Sequence, residues 1–95
     1  MIRVIIERRL VEGINVNYAH DALRRIRHEA IKKLGYISGE TLRDVNEPNH
    51  YIVISSWVSR EHWNAWVNSE ERRQADASLM AVLAEPERTT VLEPA

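Results

Sequence analysis

His50-Tyr51-Ile52-Val53-Ile54-Ser55-Ser56-Trp57-Val58 is the stretch whose pattern decides the fold. Successive residues of a strand point to opposite faces. One set is then His50, Ile52, Ile54, Ser56 and Val58, and the other is Tyr51, Val53, Ser55 and Trp57. Both sets are substantially apolar, whereas a sheet wetted on one side alternates more cleanly. The pattern therefore predicts a strand with protein packed against each face.

The neighbouring segments extend this strand into a sheet. Asn46-Glu47-Pro48-Asn49 is a short turn, so Tyr36 to Val45 pairs antiparallel with the first strand considered. Gly39 within it marks a bulge or a close approach by another backbone. Ile2 to Val11 is a further strand, with Ile2, Val4, Ile6, Arg8 and Leu10 on its more apolar face. Ala19, Leu23, Ile26, Ala30 and Leu34 recur at helical steps. That helix is capped by Asn15 or Asn17, runs to about Leu34 and is stopped by Gly35. Ser59 caps a short helix from Arg60 to about Asn68. Ser69 caps another, with Leu79, Val82 and Leu83 on its apolar side and Pro86 as its stop. Arg88 to Glu93 fits a last edge strand.

This order, βαββα(α)β, predicts an α+β domain: a ferredoxin-like antiparallel sheet with helices on one face. Residues 1–95 form a single domain with no internal repeat or linker. A chain this short buries only about 60–65% of its unfolded surface. Without cysteine it has neither disulfides nor thiolate metal ligands to compensate. A second copy against the uncovered sheet face is the simplest remedy, so a homodimer through sheet faces is expected.

Thirteen Lys and Arg against fourteen Asp and Glu leave a net charge of −1. Neither the basic excess nor the exposed aromatics of a nucleic-acid-binding sheet are present. No signal peptide or membrane span is evident, so no membrane association and a cytoplasmic location are expected.

Gly35-Tyr36-Ile37-Ser38-Gly39 with Leu42-Arg43-Asp44, the strand Tyr51 to Trp57, and Ser59-Arg60-Glu61-His62-Trp63-Asn64-Ala65-Trp66 together carry a resemblance. Asn68-Ser69-Glu70-Glu71-Arg72 continues it, and it covers essentially the whole chain. The sequence resembles the antibiotic biosynthesis monooxygenase family. The resemblance implies a dimeric α/β barrel in which two sheets face each other. It also implies oxidation of polyketide quinols without metal or flavin, or, in a related branch, heme degradation.

That branch needs a strand-one asparagine and a helical histidine ligand. Arg8 and Asp76 stand at those positions, and a carboxylate replaces imidazole poorly on heme iron, so heme degradation is not expected. The family alignment also places Trp66 where a pocket tryptophan lies. Trp63 is three residues earlier, on the same helix side. The pocket is expected between the helices and the sheet. Trp66 orients an aromatic ring, Arg8 stabilises its anion, and His62 or Asp76 accepts its proton. Trp63, Asn64 and Asn68 are further substrate contacts. An Arg8–Asp76 ion pair is expected across the pocket. Each residue also has a plainer explanation: the tryptophans as core, His62 as a solvent-facing side chain. His20, His28, His50 and His62 lack tight metal-ligand spacing, so no metal or cofactor is expected. His50 and Tyr51 are expected at solvent or the dimer seam.

The functional expectation is a cofactor-independent monooxygenase acting on a small aromatic or quinol. The alternative is a non-catalytic, dimeric ligand-binding or stress-associated domain of the same fold.

Overall fold

The computed structural model describes all residues, Met1–Ala95. Its elements run β1 (Ile2–Arg9), α1 (Val16–Ile31), β2 (Tyr36–Arg43), β3 (His50–Trp57), α2 (Arg60–Val67), α3 (Glu70–Met80) and β4 (Arg88–Leu92). The four strands form one antiparallel sheet in the order β2-β3-β1-β4. This is the ferredoxin-like α+β arrangement expected.

Register sorts the side chains. Ile2, Val4, Ile6 and Arg8 of β1 stand opposite Trp57, Ser55, Val53 and Tyr51 of β3. These residues share one face, and most of them are buried. Helix α1 lays Ala19, Ala22 and Ile26 on that face, α2 adds Trp63 and Trp66, and α3 adds Ala75 and Leu79. The other face carries Ile5 opposite Ile54, with Ile52 between Glu7 and Leu42. No helix covers it, and Leu42 and Leu92 lie open there.

Element ends differ from expectation where local hydrogen bonds intervene. Helix α1 stops at Ile31 because Lys33 N–H bonds back to Ala30 and Tyr36 N–H to Lys33, tightening the chain toward β2. Leu34, placed on the apolar stripe by spacing, is 83% exposed. Gly35 follows with φ 91°, a left-handed conformation that suits glycine. Strand β2 ends before Asp44, whose Oδ1 accepts from the amides of Asn46 and Glu47 and so starts the turn early. Strand β1 likewise ends at Arg9; Leu10 survives as an isolated bridge to Leu83. Helix α3 ends at Met80, well before Pro86, and Val82 and Leu83 join the core from the following loop.

The register shift in β2 lies between Tyr36 and Ser38 rather than at Gly39. Gly39 answers a different demand. A Cβ there would sit 2.5 Å from Oη of Tyr36, so a side chain, not a backbone, makes the close approach.

Candidate functional site

The covered face holds a cavity between the sheet, α1 and α2. Its floor is Ile6, Val53, Ser55 and Trp57, and Leu23, Ile26 and Ala30 of α1 lie over it. Tyr36, Trp63 and Trp66 close the aromatic end. Trp57 meets Tyr36 edge-on at 5.3 Å and Trp63 at 5.5 Å, and its Nε1 donates to Ser55 Oγ at 3.1 Å. These edge-to-face contacts fix the ring planes. Ser59 sets the start of α2 by accepting from the His62 amide at 3.2 Å, which aims Trp63 and Trp66 inward together.

Arginine dominates the polar end. Arg8 and Arg72 both border the cavity and are each only 5% exposed. Arg8 Nε donates to Glu87 Oε2 at 2.9 Å, and Arg72 donates to the other oxygen of Glu87 and to Asp76 Oδ1 at 3.0 Å. The Arg72 guanidinium also lies 5.6 Å from the Trp66 ring centre, within cation–π range. Burial pushes the Arg8 guanidinium below its ordinary value, Glu87 opposes this, and the nearby charge of Arg72 adds to the lowering. Arginine stays protonated regardless.

The expected Arg8–Asp76 pair is replaced by this chain. Asp76 is one helical turn beyond Arg72 and is taken by it, while Glu87, from the loop before β4, reaches Arg8. Neither Arg72 nor Glu87 was singled out from sequence. Arg72 was detectable as the i, i+4 partner of Asp76, but Glu87 lies 79 residues from Arg8 and has no local signal.

Arg8, Trp63 and Trp66 stand on the cavity wall, and the other four candidates stand off it. His62 packs its ring against Gly35 and bonds Ser59 Oγ through Nδ1 at 2.7 Å. Asn68 ends α2 by donating to the Asn64 carbonyl at 2.9 Å, and both asparagines are exposed. Asp76 faces a separate depression beside Leu83, Pro86 and Glu87.

The chamber is partly open to solvent and measures about 50 Å³, room for a few water molecules. Leu23, Arg27 and Thr41 border both it and an adjoining cleft of about 230 Å³. His20 and Tyr51 line the cleft, joined by a 2.9 Å hydrogen bond. Tyr51 is therefore buried on the cavity side rather than at solvent or a seam.

His50 is 8% exposed, closed off from solvent, and stands on the uncovered sheet face two residues from Ile52. Its Nδ1 lies 3.2 Å from Asp44 Oδ2. Its Nε2 is 3.3 Å from Glu7 Oε1 but without hydrogen-bond alignment. Asp44, Glu47 and His50 bring three metal-capable atoms within 4.8 Å of one another, a grouping that histidine spacing alone missed. Arg9 already holds Glu47, and turn amides hold Asp44, so the group clasps the β2–β3 hairpin.

The profile of the family described as antibiotic biosynthesis monooxygenase matches residues 1–78. The chain belongs to this family. A "42.8 kDa protein in whiE locus" of Streptomyces coelicolor is 29% identical over 70 residues, 74% of this chain. The chain spans only 17% of that relative's length. Among solved structures, a protein of the same provisional family assignment from Nitrosomonas europaea matches with TM-score 0.85 and 14% identity, over 99% of this chain and 98% of that one. SnoaB, a cofactor-independent oxygenase from Streptomyces nogalater, matches with TM-score 0.84 and 14% identity, over 99% and 93%. Rv0793 from Mycobacterium tuberculosis gives 0.74 and 19%, over 99% and 94%. At these identities the structures establish that the monooxygenase fold is shared, and no more. No helix is long and apolar enough to cross a membrane.

Proposed function

We propose that the protein is a cytoplasmic, cofactor-independent monooxygenase that oxidises a small quinol-type aromatic in the cavity between sheet and helices. The observation carrying this reading is that Trp66 and the buried Arg8 line one cavity, in a chain of this family. Trp66 orients the ring and Arg8 stabilises the anion formed when a ring hydroxyl loses its proton. The anion passes one electron to dioxygen. The resulting radical and superoxide recombine at carbon, and the peroxide loses water to leave a quinone carbonyl. One oxygen atom thus enters the product and the other leaves as water. With His62 and Asp76 off the cavity, the imidazole bordering the cleft is His20, which receives the proton through Tyr51.

The working unit in this reading is a homodimer joined through the uncovered sheet faces, where Ile5, Ile52, Ile54 and Leu42 lie without a helix over them. Burying apolar area there is worth about 25 cal/mol per Å². Sedimentation should give a dimer at low micromolar concentration; a stable monomer would overturn that part.

Oxygen uptake with a panel of naphthalene and anthracene quinols tests the chemistry, beside a heme titration. Stoichiometric oxygen consumption, lost in Trp66→Ala and Arg8→Ala, is expected. Quinol binding without oxygen consumption would replace this reading with the non-catalytic ligand-binding one.

A further inference from the structure

We propose that the cavity is built to hold an aromatic carboxylate, gripped through the unused guanidinium donors of Arg8 and Arg72. This rests on the reading of the cavity as a substrate site and narrows it to a chemical class.

A guanidinium carries five N–H donors. Arg8 spends only Nε on protein, and its two terminal nitrogens bond nothing. Arg72 spends Nε and Nη2, leaving Nη1. His50 Nε2 is the one sealed side-chain nitrogen or oxygen without a partner, so these free guanidinium atoms still touch solvent. The open space that both residues border is the cavity.

Arg8, Arg72, Glu87 and Asp76 form a charge-balanced cluster, with Asp76, at 36% exposure, the member nearest water. Glu87 shows what the pair accepts, since its two carboxylate oxygens bridge the two arginines. A second planar carboxylate on the cavity side meets three donor nitrogens, enough for both of its oxygens. A phenolate, with one oxygen, leaves part of the set unused. Trp66 beneath Arg72, with Val53 and Leu23 alongside, supplies apolar contact for the ring.

The test is an NMR titration of the intact protein with benzoate, using benzamide as the neutral isostere and phenol as the ring without a carboxylate. Benzoate should bind about tenfold more tightly than either at low ionic strength, moving the Trp66 indole and the Arg8 and Arg72 Nε–H signals. The Arg72→Gln/Glu87→Gln variant removes one cation and one anion together and should abolish that preference. Arg8→Gln/Glu87→Gln serves as a second charge-balanced variant, and the same spectra report whether each is folded. Equal affinity for benzoate and benzamide, a stronger response to phenol, or a preference that survives in both folded variants would overturn the proposal. Oxygen uptake with a neutral quinol separates the two readings. Turnover without benzoate preference leaves the oxygenase standing and removes the carboxylate clamp. Benzoate preference without turnover of any quinol does the reverse.

Discussion

The two faces of the sheet carry similar apolar content and meet different fates. Toward the helices, Val4 and Trp57 are sealed and a shaped cavity remains between the layers. On the opposite face, Ile5, Ile54 and Ile52 line up across the strands with no helix above them, and Leu42 and Leu92 are open. The helices of this chain number three and all pack on one side, so the protein covers only one layer with its own residues. The inner face is held by intrachain packing, while the outer face has no helix of this chain over it.

Substitutions can break that contrast in graded ways. The largest effect belongs to Trp57→Ala, which empties the centre of the aromatic cluster and should cost about 3–5 kcal/mol. Urea unfolding of the variant should show its midpoint collapse, and an unchanged midpoint would deny the inner face its role. Glu87→Gln comes next. It leaves Arg8 and Arg72 facing each other without their shared carboxylate, for a loss of about 2–3 kcal/mol after allowing for the partial exposure of Glu87. Ile54→Glu on the outer face should leave protomer folding nearly intact yet weaken self-association by about 2 kcal/mol or more, read by sedimentation across a dilution series. If that variant unfolds instead, the outer face belongs to the protomer's own core.

The smallest effect lies at the hairpin. A hydrogen bond from the Asn46 amide, then one from the His50 side chain, lower the Asp44 carboxyl below its ordinary value. A depressed acid stabilises the fold above its unfolded pKa, and that contribution is lost as pH falls through the folded value. Carboxyl NMR should therefore find Asp44 titrating below the ordinary aspartate value. In Asp44→Asn this portion of the acid sensitivity should vanish.

Element order, the inner-face residues of β1 and β3 and the tryptophan side of α2 could all be read from periodicity. Repeating apolar residues record which direction is dry, and that survives in a linear string. The position of the cavity followed, because only one sheet face could be roofed. The polar end of the site was legible only in part. Arg8 stood out as a charge among apolar residues, but its partner was misread because Glu87 approaches through a loop whose path has no periodic signature. His62 looked available by composition. Only the close fit of its ring over Gly35 reveals it as a packing residue. Buried His50 and the Tyr51–His20 contact were missed for the same reason: neighbours brought in by turns and crossovers leave no spacing to detect.

The order of the strands also bears on biosynthesis. β1 lies in the interior of the sheet, yet its two neighbours, β3 and β4, are translated after it. A growing polypeptide must therefore carry an oily, unpaired ribbon until distant segments leave the ribosome. Such delayed closure slows folding and invites mispairing between nascent chains. Chaperone demand during expression should track the wait for β4.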